Sequence, residues 1–200
     1  MAFKRSLLIP LAVFLAGLAI LLATALFILQ PQQQQNAGRV PIGGPFRLTS
    51  HEGKPFTDAD LKGKPFVVFF GFTHCPEVCP TTLYDLSQDL ASLGSDSDKL
   101  RVAFITVDPE RDTPDLMKTY LSSFDPRIVG LTGTEEEIAA AAKAYKIYYR
   151  KVPTDSGDYT MDHSATLFLM DGKGDFYATS NFQENAEVRR EKLKRLIKNG

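Results

Sequence analysis

The hydropathy pattern of this 200-residue chain changes near residue 40, from one long apolar run to short blocks that alternate between strand and helix patterns. In the second part, apolar runs at Phe66–Phe70 and Arg101–Val107 predict buried strands. Between them, leucines recur at the three- and four-residue spacing of an amphipathic helix over Thr81–Leu93. Strand and helix patterns that alternate in this way indicate an α/β domain.

Capping residues mark the start of two further helices. A Thr-Pro pair, with proline at the first helical position, begins a helix over about Thr113–Ser123. A capping-box pattern of Thr134 and Glu137 begins another helix, which we expect to extend to Tyr145. The remaining predicted elements are five short strands and a C-terminal helix: Phe46–Thr49, Ile128–Leu131, Tyr148–Val152, Ala165–Met170, Asp175–Thr179 and Glu184–Lys198.

The order of these elements is that of a thioredoxin-like fold. Strand–helix units come first, and a hairpin with its turn at Asp171-Gly172 and a final helix follow. In that plan a dithiol lies where the first core strand turns into a helix, and Cys75 and Cys79 occupy that junction. We therefore predict an α/β, thioredoxin-like domain over residues 40–200.

The first part of the chain has the pattern of a membrane anchor. Residues 7–29 contain no charge and are numerous enough to span a bilayer. Lys4 and Arg5 precede them, which predicts a cytoplasmic N-terminus at residues 1–6 and an exported, periplasmic domain. A cleaved signal peptide is the alternative, with a small-x-small site at Ala23–Ala25. Because the apolar run continues over Leu26–Leu29, we favour an uncleaved single-pass anchor.

Composition narrows the function of the exported part. Residues 30–39 are polar and rich in glutamine, and they are interpreted as a flexible stalk. The chain has 23 basic and 24 acidic residues and a formal net charge of −1. Since there is no basic stripe, we expect no nucleic-acid partner.

Cys75 and Cys79 are the chain's two cysteines, and export makes a disulfide, a redox couple or a metal site the possible uses for them. At a strand-to-helix junction, backbone N–H groups and the helix dipole favour thiolate. A purely structural disulfide is disfavoured, because so short a loop would contribute only about 2 kcal/mol. The pair is therefore predicted to be redox-active or metal-binding.

His163 is the predicted third member of the site. It comes just before the strand at Ala165–Met170, and in a thioredoxin-like fold that loop lies beside the N-terminus of the first helix. We therefore expect His163 to face Cys75 and Cys79, although a histidine that merely satisfies a strand entrance is the alternative. Two sulfurs and one imidazole suit zinc or copper, and the soft sulfur pair favours copper(I).

Four other residues are candidates for the site, but the sequence supports them less strongly. His74 is expected at the surface, where it would bias the acidity of the thiols. His51, in a Gly/Pro-rich turn, is expected to be solvated, and Met161 to serve in packing. Asp108 follows the second core strand and belongs either to a plain turn or to the dithiol pocket, where it would tune the pKa of a thiol.

Three motifs in order resemble the Sco/SenC/PrrC family of membrane-anchored, thioredoxin-like proteins of respiratory oxidase assembly. They are Cys75–Pro80, Val107–Pro114 and Asp162–Ser164, and none departs from the family pattern. The resemblance covers the chain from about Val40 to the C-terminus. It implies copper bound by Cys75, Cys79 and His163.

The resemblance also implies a function and partners. The implied function is the maturation of the binuclear copper site of cytochrome c oxidase. The implied partners are the copper-bearing subunit of that oxidase and other copper chaperones. A second reading is a periplasmic thiol-disulfide oxidoreductase that keeps the oxidase's copper-site cysteines reduced, with Cys75 and Cys79 as its redox pair. A metallochaperone is favoured for two reasons. The three residues between Cys75 and Cys79 leave the sulfurs far enough apart to chelate a metal, and disulfide exchange does not require His163. A thiol peroxidase is disfavoured, because no Thr-x-x-Cys pattern surrounds either cysteine.

Overall fold

The computed structural model describes residues 5–29, 41–155 and 157–200. The chain divides into two compact units, Met1–Val40 and Pro41–Gly200. The first unit contains helix α1, Arg5–Leu29. Among the described residues, no helix is long and apolar enough to cross a membrane. The predicted stalk at residues 30–39 lies outside the described residues.

The second unit contains nine strands and five α-helices among its described residues. In chain order they are β1 (Arg47–Ser50), β2 (Pro55–Thr57), α2 (Asp58–Leu61), β3 (Phe66–Gly71), α3 (Val78–Ser92), a 3-10 helix (Gly94–Lys99), β4 (Arg101–Thr106), α4 (Pro114–Leu121), β5 (Ile128–Thr132), α5 (Glu135–Ala144), β6 (Tyr149–Pro153), β7 (Tyr159–His163), β8 (Thr166–Met170), β9 (Phe176–Asn181) and α6 (Ala186–Asn199).

Seven strands form one mixed sheet in the order β2-β1-β5-β4-β3-β8-β9. The central strands β3, β4 and β5 are parallel, and β8 joins β3 in antiparallel orientation. Every residue of β3 is buried, as expected of a strand covered on both faces. Strands β6 and β7 form a separate antiparallel pair. The predicted α/β, thioredoxin-like architecture is confirmed.

The parallel pair β3–β4 brings two loops to one edge of the sheet. Gly71 pairs with Thr106 at the ends of these strands, and the Val107 N–H donates to the Gly71 carbonyl at 2.8 Å. Parallel strands end on the same side, so the loop that carries Cys75 lies beside the loop that follows β4. This edge is where ligand sites form in α/β sheets.

Two elements near the cysteines differ from the sequence prediction. Helix α3 begins at Val78 rather than Thr81, so Cys79 lies inside its first turn. Pro80 does not prevent this, because the first-turn N–H groups of a helix have no partner within the helix. His163 ends strand β7 rather than lying in a loop, and it pairs with Tyr149 of β6.

Candidate metal centre

The two cysteines have different environments at the start of α3. Cys79 is fully buried, whereas Cys75 precedes the helix and is half-buried. Both thiols are free. The Cys79 N–H donates to the Cys75 Sγ at 3.4 Å, and the side chain at the N-cap position, Glu77, makes no capping bond. Cys75 sulfur therefore takes the place of an N-cap acceptor at the positive end of the helix.

His163 directs one ring nitrogen towards the sulfurs. Its Nε2 lies 3.6 Å from the Cys79 Sγ, and its Nδ1 lies 3.2 Å from the Ser164 carbonyl oxygen. A carbonyl oxygen can only accept a hydrogen bond, so we assign the proton to Nδ1. The lone pair of Nε2 then faces the thiols. The ring of Phe72 packs edge-on against the imidazole, with 5.7 Å between the ring centroids.

Cys75, Cys79 and His163 together form a possible metal site. Their ligand atoms all lie within 4.8 Å of one another. Two sulfurs and one imidazole are a soft donor set of the kind that suits copper(I) or zinc. The structure thus brings together the three residues that the sequence singled out.

The pKa values of the two thiols move in opposite directions. A hydrogen bond from Cys79, together with bonds from backbone N–H groups, lowers the pKa of Cys75 to about 4, and burial only partly opposes this. The pKa of Cys79 is raised by its bond to Cys75, by burial and by the negative charge of the Cys75 sulfur. At neutral pH the pair therefore holds one thiolate, on Cys75, and one thiol, on Cys79.

Asp112 is a buried residue of the site that the sequence analysis missed. Its carboxylate accepts hydrogen bonds from the Thr73 N–H at 3.0 Å, the Thr73 hydroxyl at 2.6 Å and the Thr106 hydroxyl at 2.6 Å. Burial raises the pKa of Asp112, and its negative charge helps to raise the pKa of Cys79. The sequence signal was the acid before Thr113, since the helix start explains the threonine and the proline but not an aspartate.

Asp108, the acid that the sequence did single out, is bound elsewhere. It is fully buried, and its carboxylate accepts from the Arg111 Nε at 2.5 Å and from the Tyr159 hydroxyl at 2.9 Å. The two aspartates of this loop thus have different partners. Asp112 faces the cysteine loop, and Asp108 faces the strand that ends in His163.

The other two histidines lie outside the ligand cluster. His74 is exposed as predicted, and its Nδ1 lies 3.0 Å from the Thr73 hydroxyl and 3.9 Å from the Asp112 carboxylate. The prediction of a solvated His51 is wrong. Its side chain is 18% exposed and its Nδ1 accepts from the Gly130 N–H at 2.9 Å, because β1 ends beside β5 at this point. Met161 is buried and packs in the core, as predicted.

Two further residues shape the buried side of the site. A Cβ on Gly71 would lie 2.7 Å from the Cys79 Sγ and 2.8 Å from the ring of Phe104, so only glycine leaves room for the sulfur. The hydroxyl of Tyr120 is buried without a hydrogen-bond partner among the described residues. Burial raises the pKa of Tyr120, and so do the negative charges of the Cys75 thiolate and Asp112. Its phenol therefore stays neutral.

Comparisons with known proteins agree with this site. A family model described as SCO1/SenC matches residues 34–198. The chain is 43% identical over 157 residues to the mitochondrial protein SCO2 of Saccharomyces cerevisiae, covering 74% of this chain and 52% of that protein. The structure of Bradyrhizobium japonicum ScoI with copper bound matches with a TM-score of 0.73 at 54% identity, covering 78% of this chain and 99% of that one. Yeast Sco1 with copper bound gives a TM-score of 0.74 at 38% identity, covering 80% and 91%.

The extent of these matches decides what they establish. The chain spans about half the length of several mitochondrial relatives that it matches. The family model, in contrast, covers Cys75, Cys79, His163 and both aspartates of the neighbouring loop. The resemblance drawn from three short motifs is confirmed: this chain belongs to the SCO1/SenC family.

Proposed function

We propose that this chain binds copper as cargo and serves in the assembly of cytochrome c oxidase, by supplying copper to the oxidase's binuclear copper site. The convergence of two sulfurs and one imidazole within 4.8 Å is the observation that carries the proposal. Copper-bound members of the family are similar to this chain over most of its second unit. The copper-bearing subunit of the oxidase is the proposed partner, and another copper chaperone is the proposed source of the metal.

The different exposure of the ligands gives an order to loading and release. The half-exposed thiolate of Cys75 meets incoming copper first, because it is charged at neutral pH. His163 then binds through Nε2. The buried thiol of Cys79 loses its proton last, since burial and its neighbour disfavour the thiolate until a cation is present. Release to a sulfur-rich client reverses this order by stepwise ligand exchange.

Thiol-disulfide exchange is the second candidate function, and the environment of Cys75 favours it. A half-exposed thiolate beside a second cysteine is the attacking group that such exchange requires. In this role the chain would keep the oxidase's copper-site cysteines reduced. The two roles use the same sulfurs, and oxidation to a disulfide would close the site to metal.

The site is further proposed to lie on the periplasmic side of a membrane, held by a single-pass anchor at residues 7–29 with residues 1–6 in the cytoplasm. Support comes from the charge-free sequence of that segment and from Lys4 and Arg5 before it. An alkaline phosphatase fused after Gly200 tests this topology, because the enzyme folds only after export. An inactive, cytoplasmic fusion would contradict the proposal.

Copper titration of the reduced protein tests the main function. We expect one tightly bound copper in the wild type, and loss of tight binding in Cys75→Ala and His163→Ala. His74→Ala is the matched control, because that histidine is exposed and lies outside the ligand cluster. It should bind copper as the wild type does.

The same variants separate the two candidate functions. His163→Ala should keep the disulfide couple, because the imidazole is not needed for exchange between sulfurs. Tight, stoichiometric copper in His163→Ala would remove the third ligand from the proposal, whereas a wild type without tight copper would leave the oxidoreductase function as the better account.

A further inference from the structure

The loop between β4 and α4 contacts both halves of the metal centre without supplying a ligand. It comprises Val107–Thr113 and contains two aspartates that are fully buried. One aspartate binds the loop that carries Cys75, and the other binds the strand that carries His163. Buried carboxylates are retained in proteins only where hydrogen bonds or charges compensate their burial. Their partners therefore indicate what the loop does.

The first arm joins the loop to the cysteine segment. The Asp112 carboxylate accepts from both the N–H and the hydroxyl of Thr73, at 3.0 and 2.6 Å. Thr73 lies two residues before Cys75. Charge-assisted hydrogen bonds of this kind are about twice as strong as neutral ones. The backbone that presents the Cys75 sulfur is thus held at two points by one carboxylate.

The second arm joins the loop to the histidine strand. Asp108 accepts from the Tyr159 hydroxyl at 2.9 Å and from the Arg111 Nε at 2.5 Å. Arg111 also donates to the Tyr159 carbonyl at 3.0 Å, and its guanidinium carbon lies 3.8 Å above the centre of the Tyr159 ring. Tyr159 begins β7 and His163 ends it. The strand that presents the imidazole is thus held at its far end.

The two arms are connected to each other by hydrogen bonds at the end of β4. The Asp108 N–H donates to the Thr106 hydroxyl at 2.9 Å, and that hydroxyl donates to the Asp112 carboxylate at 2.6 Å. The Asp112 N–H donates to the Asp108 carbonyl at 2.9 Å. Because these bonds fix the two aspartates to each other and to β4, a displacement of one arm is resisted by the other.

This connection matters because the sheet does not position the whole histidine strand. Strand β7 pairs only with β6, and the two form a sheet of their own. Two residues join His163 to β8, but Tyr159 has no strand partner in the seven-stranded sheet. The cysteines, in contrast, follow directly from the central strand β3. Without the second arm, the angle of β7 to the cysteine loop would depend on the hairpin, on the burial of Met161 in the core and on the contact of Phe72 with His163.

We propose that Thr73, Asp108, Arg111, Asp112 and Tyr159 form a clamp that sets the geometry of the copper site, with one arm for the cysteine pair and one for His163. The inference rests on the proposed copper function, and the five residues are positioning residues rather than ligands. Partners that orient metal ligands commonly change metal affinity 10- to 100-fold when removed.

The test uses two variants that each remove one hydroxyl from one arm of the full-length protein. Tyr159→Phe keeps the ring under Arg111 but removes the bond to Asp108, and Thr73→Val removes the side-chain bond to Asp112. We expect each to weaken copper binding about 10-fold. Tyr84→Phe is the control, because that tyrosine is exposed on α3, and it should leave copper affinity unchanged.

The decisive measurement is whether each effect depends on His163. In a His163→Ala background, which keeps only weaker copper binding by the two sulfurs, Tyr159→Phe should no longer change that residual affinity, whereas Thr73→Val should still lower it. A merely structural role predicts equal losses in both backgrounds. The electron paramagnetic resonance spectrum of bound copper(II) should change in Tyr159→Phe and report the altered nitrogen ligand. Arg111→Lys, which loses the planar contact with Tyr159 but keeps the charge, replaces Tyr159→Phe should that variant not fold.

Nuclear magnetic resonance of the metal-free protein gives a second, independent test of the clamp. Nitrogen-15 resonances of the His163 ring should shift in Tyr159→Phe and stay unchanged in Thr73→Val, and the Cys79 amide resonance should behave in the opposite way. A wild type that binds no copper would refute the proposed function while these shifts still decide the clamp. Wild-type affinity and unshifted resonances in both variants, or a Tyr159→Phe effect that persists without His163, would overturn the clamp.

Discussion

At the scale of single residues, the site depends on an asymmetry between two sulfurs. Cys75 is half-exposed and its pKa is lowered, while Cys79 is fully buried and its pKa is raised. The same hydrogen bond acts on both, since it stabilises the charged acceptor and holds the proton on the donor. Cys75 is therefore the reactive thiolate of the pair, and Cys79 is a buried thiol.

This asymmetry predicts how the reduced, metal-free protein reacts with iodoacetamide. Thiolate is the reactive form, so a lowered pKa extends the reactivity of Cys75 to lower pH. The rate at Cys75 should stay constant from about pH 8 to pH 6 and fall to half near pH 4, the value to which the pKa is lowered. Cys79 should not react while the protein is folded. Peptide mapping of the labelled protein measures both rates.

Cys79→Ala supplies the control for this pH profile. It removes the hydrogen bond that contributes most to the lowered pKa of Cys75, so the midpoint should rise towards the ordinary thiol value of about 8.5. A wild-type midpoint near that ordinary value would contradict the asymmetry.

At the scale of elements, α3 must be held firmly because its first turn carries Cys79. On its buried side, the guanidinium of Arg189 from α6 forms ion pairs with Asp89 and Asp85 of α3, the second at 3.4 Å. Arg189 and Asp89 are almost completely buried. Burial raises the pKa of Asp89, and Arg189 opposes that shift. The C-terminal helix thus secures the helix of the metal site through a buried charge pair.

We therefore expect Arg189→Met to lower the free energy of unfolding by about 3–5 kcal/mol, because the carboxylate of Asp89 is left buried with less compensation. Without Arg189 the pKa of folded Asp89 rises further above its unfolded value. The loss should then be largest at neutral pH and shrink as the pH falls, because Asp89 of the folded variant takes up a proton at a higher pH than in the unfolded chain. Guanidinium unfolding at several pH values measures this.

Arg195→Met is the matched control, because Arg195 is exposed on the same helix. It should change stability by less than about 0.5 kcal/mol. An equal loss in both variants would mean that helix α6 itself, rather than the buried pair, is disturbed.

At the scale of the whole molecule, copper, folding and oxidation state are linked through the same two sulfurs. A metal that binds only the folded, reduced form stabilises it by mass action. One equivalent of copper(I) should raise the melting temperature of the reduced protein by several degrees, and a disulfide should abolish the rise. Differential scanning calorimetry of reduced and oxidised protein measures the difference, and an equal rise in both would contradict redox control of loading.

The sequence anticipated the main elements because their signals are local. The apolar run at Phe66–Phe70, the Thr-Pro start of α4 and the capping box of α5 all correspond to observed elements. Strand β7 was missed, because Tyr159–His163 contains polar residues and pairs only with β6. It is a strand because of its pairing with the preceding strand β6, and its own residues lack the alternating apolar pattern that would have predicted one.

What the sequence by itself determined is the donor set: two cysteines at a strand-to-helix junction and one histidine before a late strand, in an α/β, thioredoxin-like domain. These follow from residue type and spacing, which are properties of the chain alone. Tertiary structure decided which acid serves which half of the site. Asp108 and Asp112 lie four residues apart in one loop, yet one meets Tyr159 and the other meets Thr73. Those partners are 51 and 39 residues away in sequence, so only folding brings them within hydrogen-bond distance.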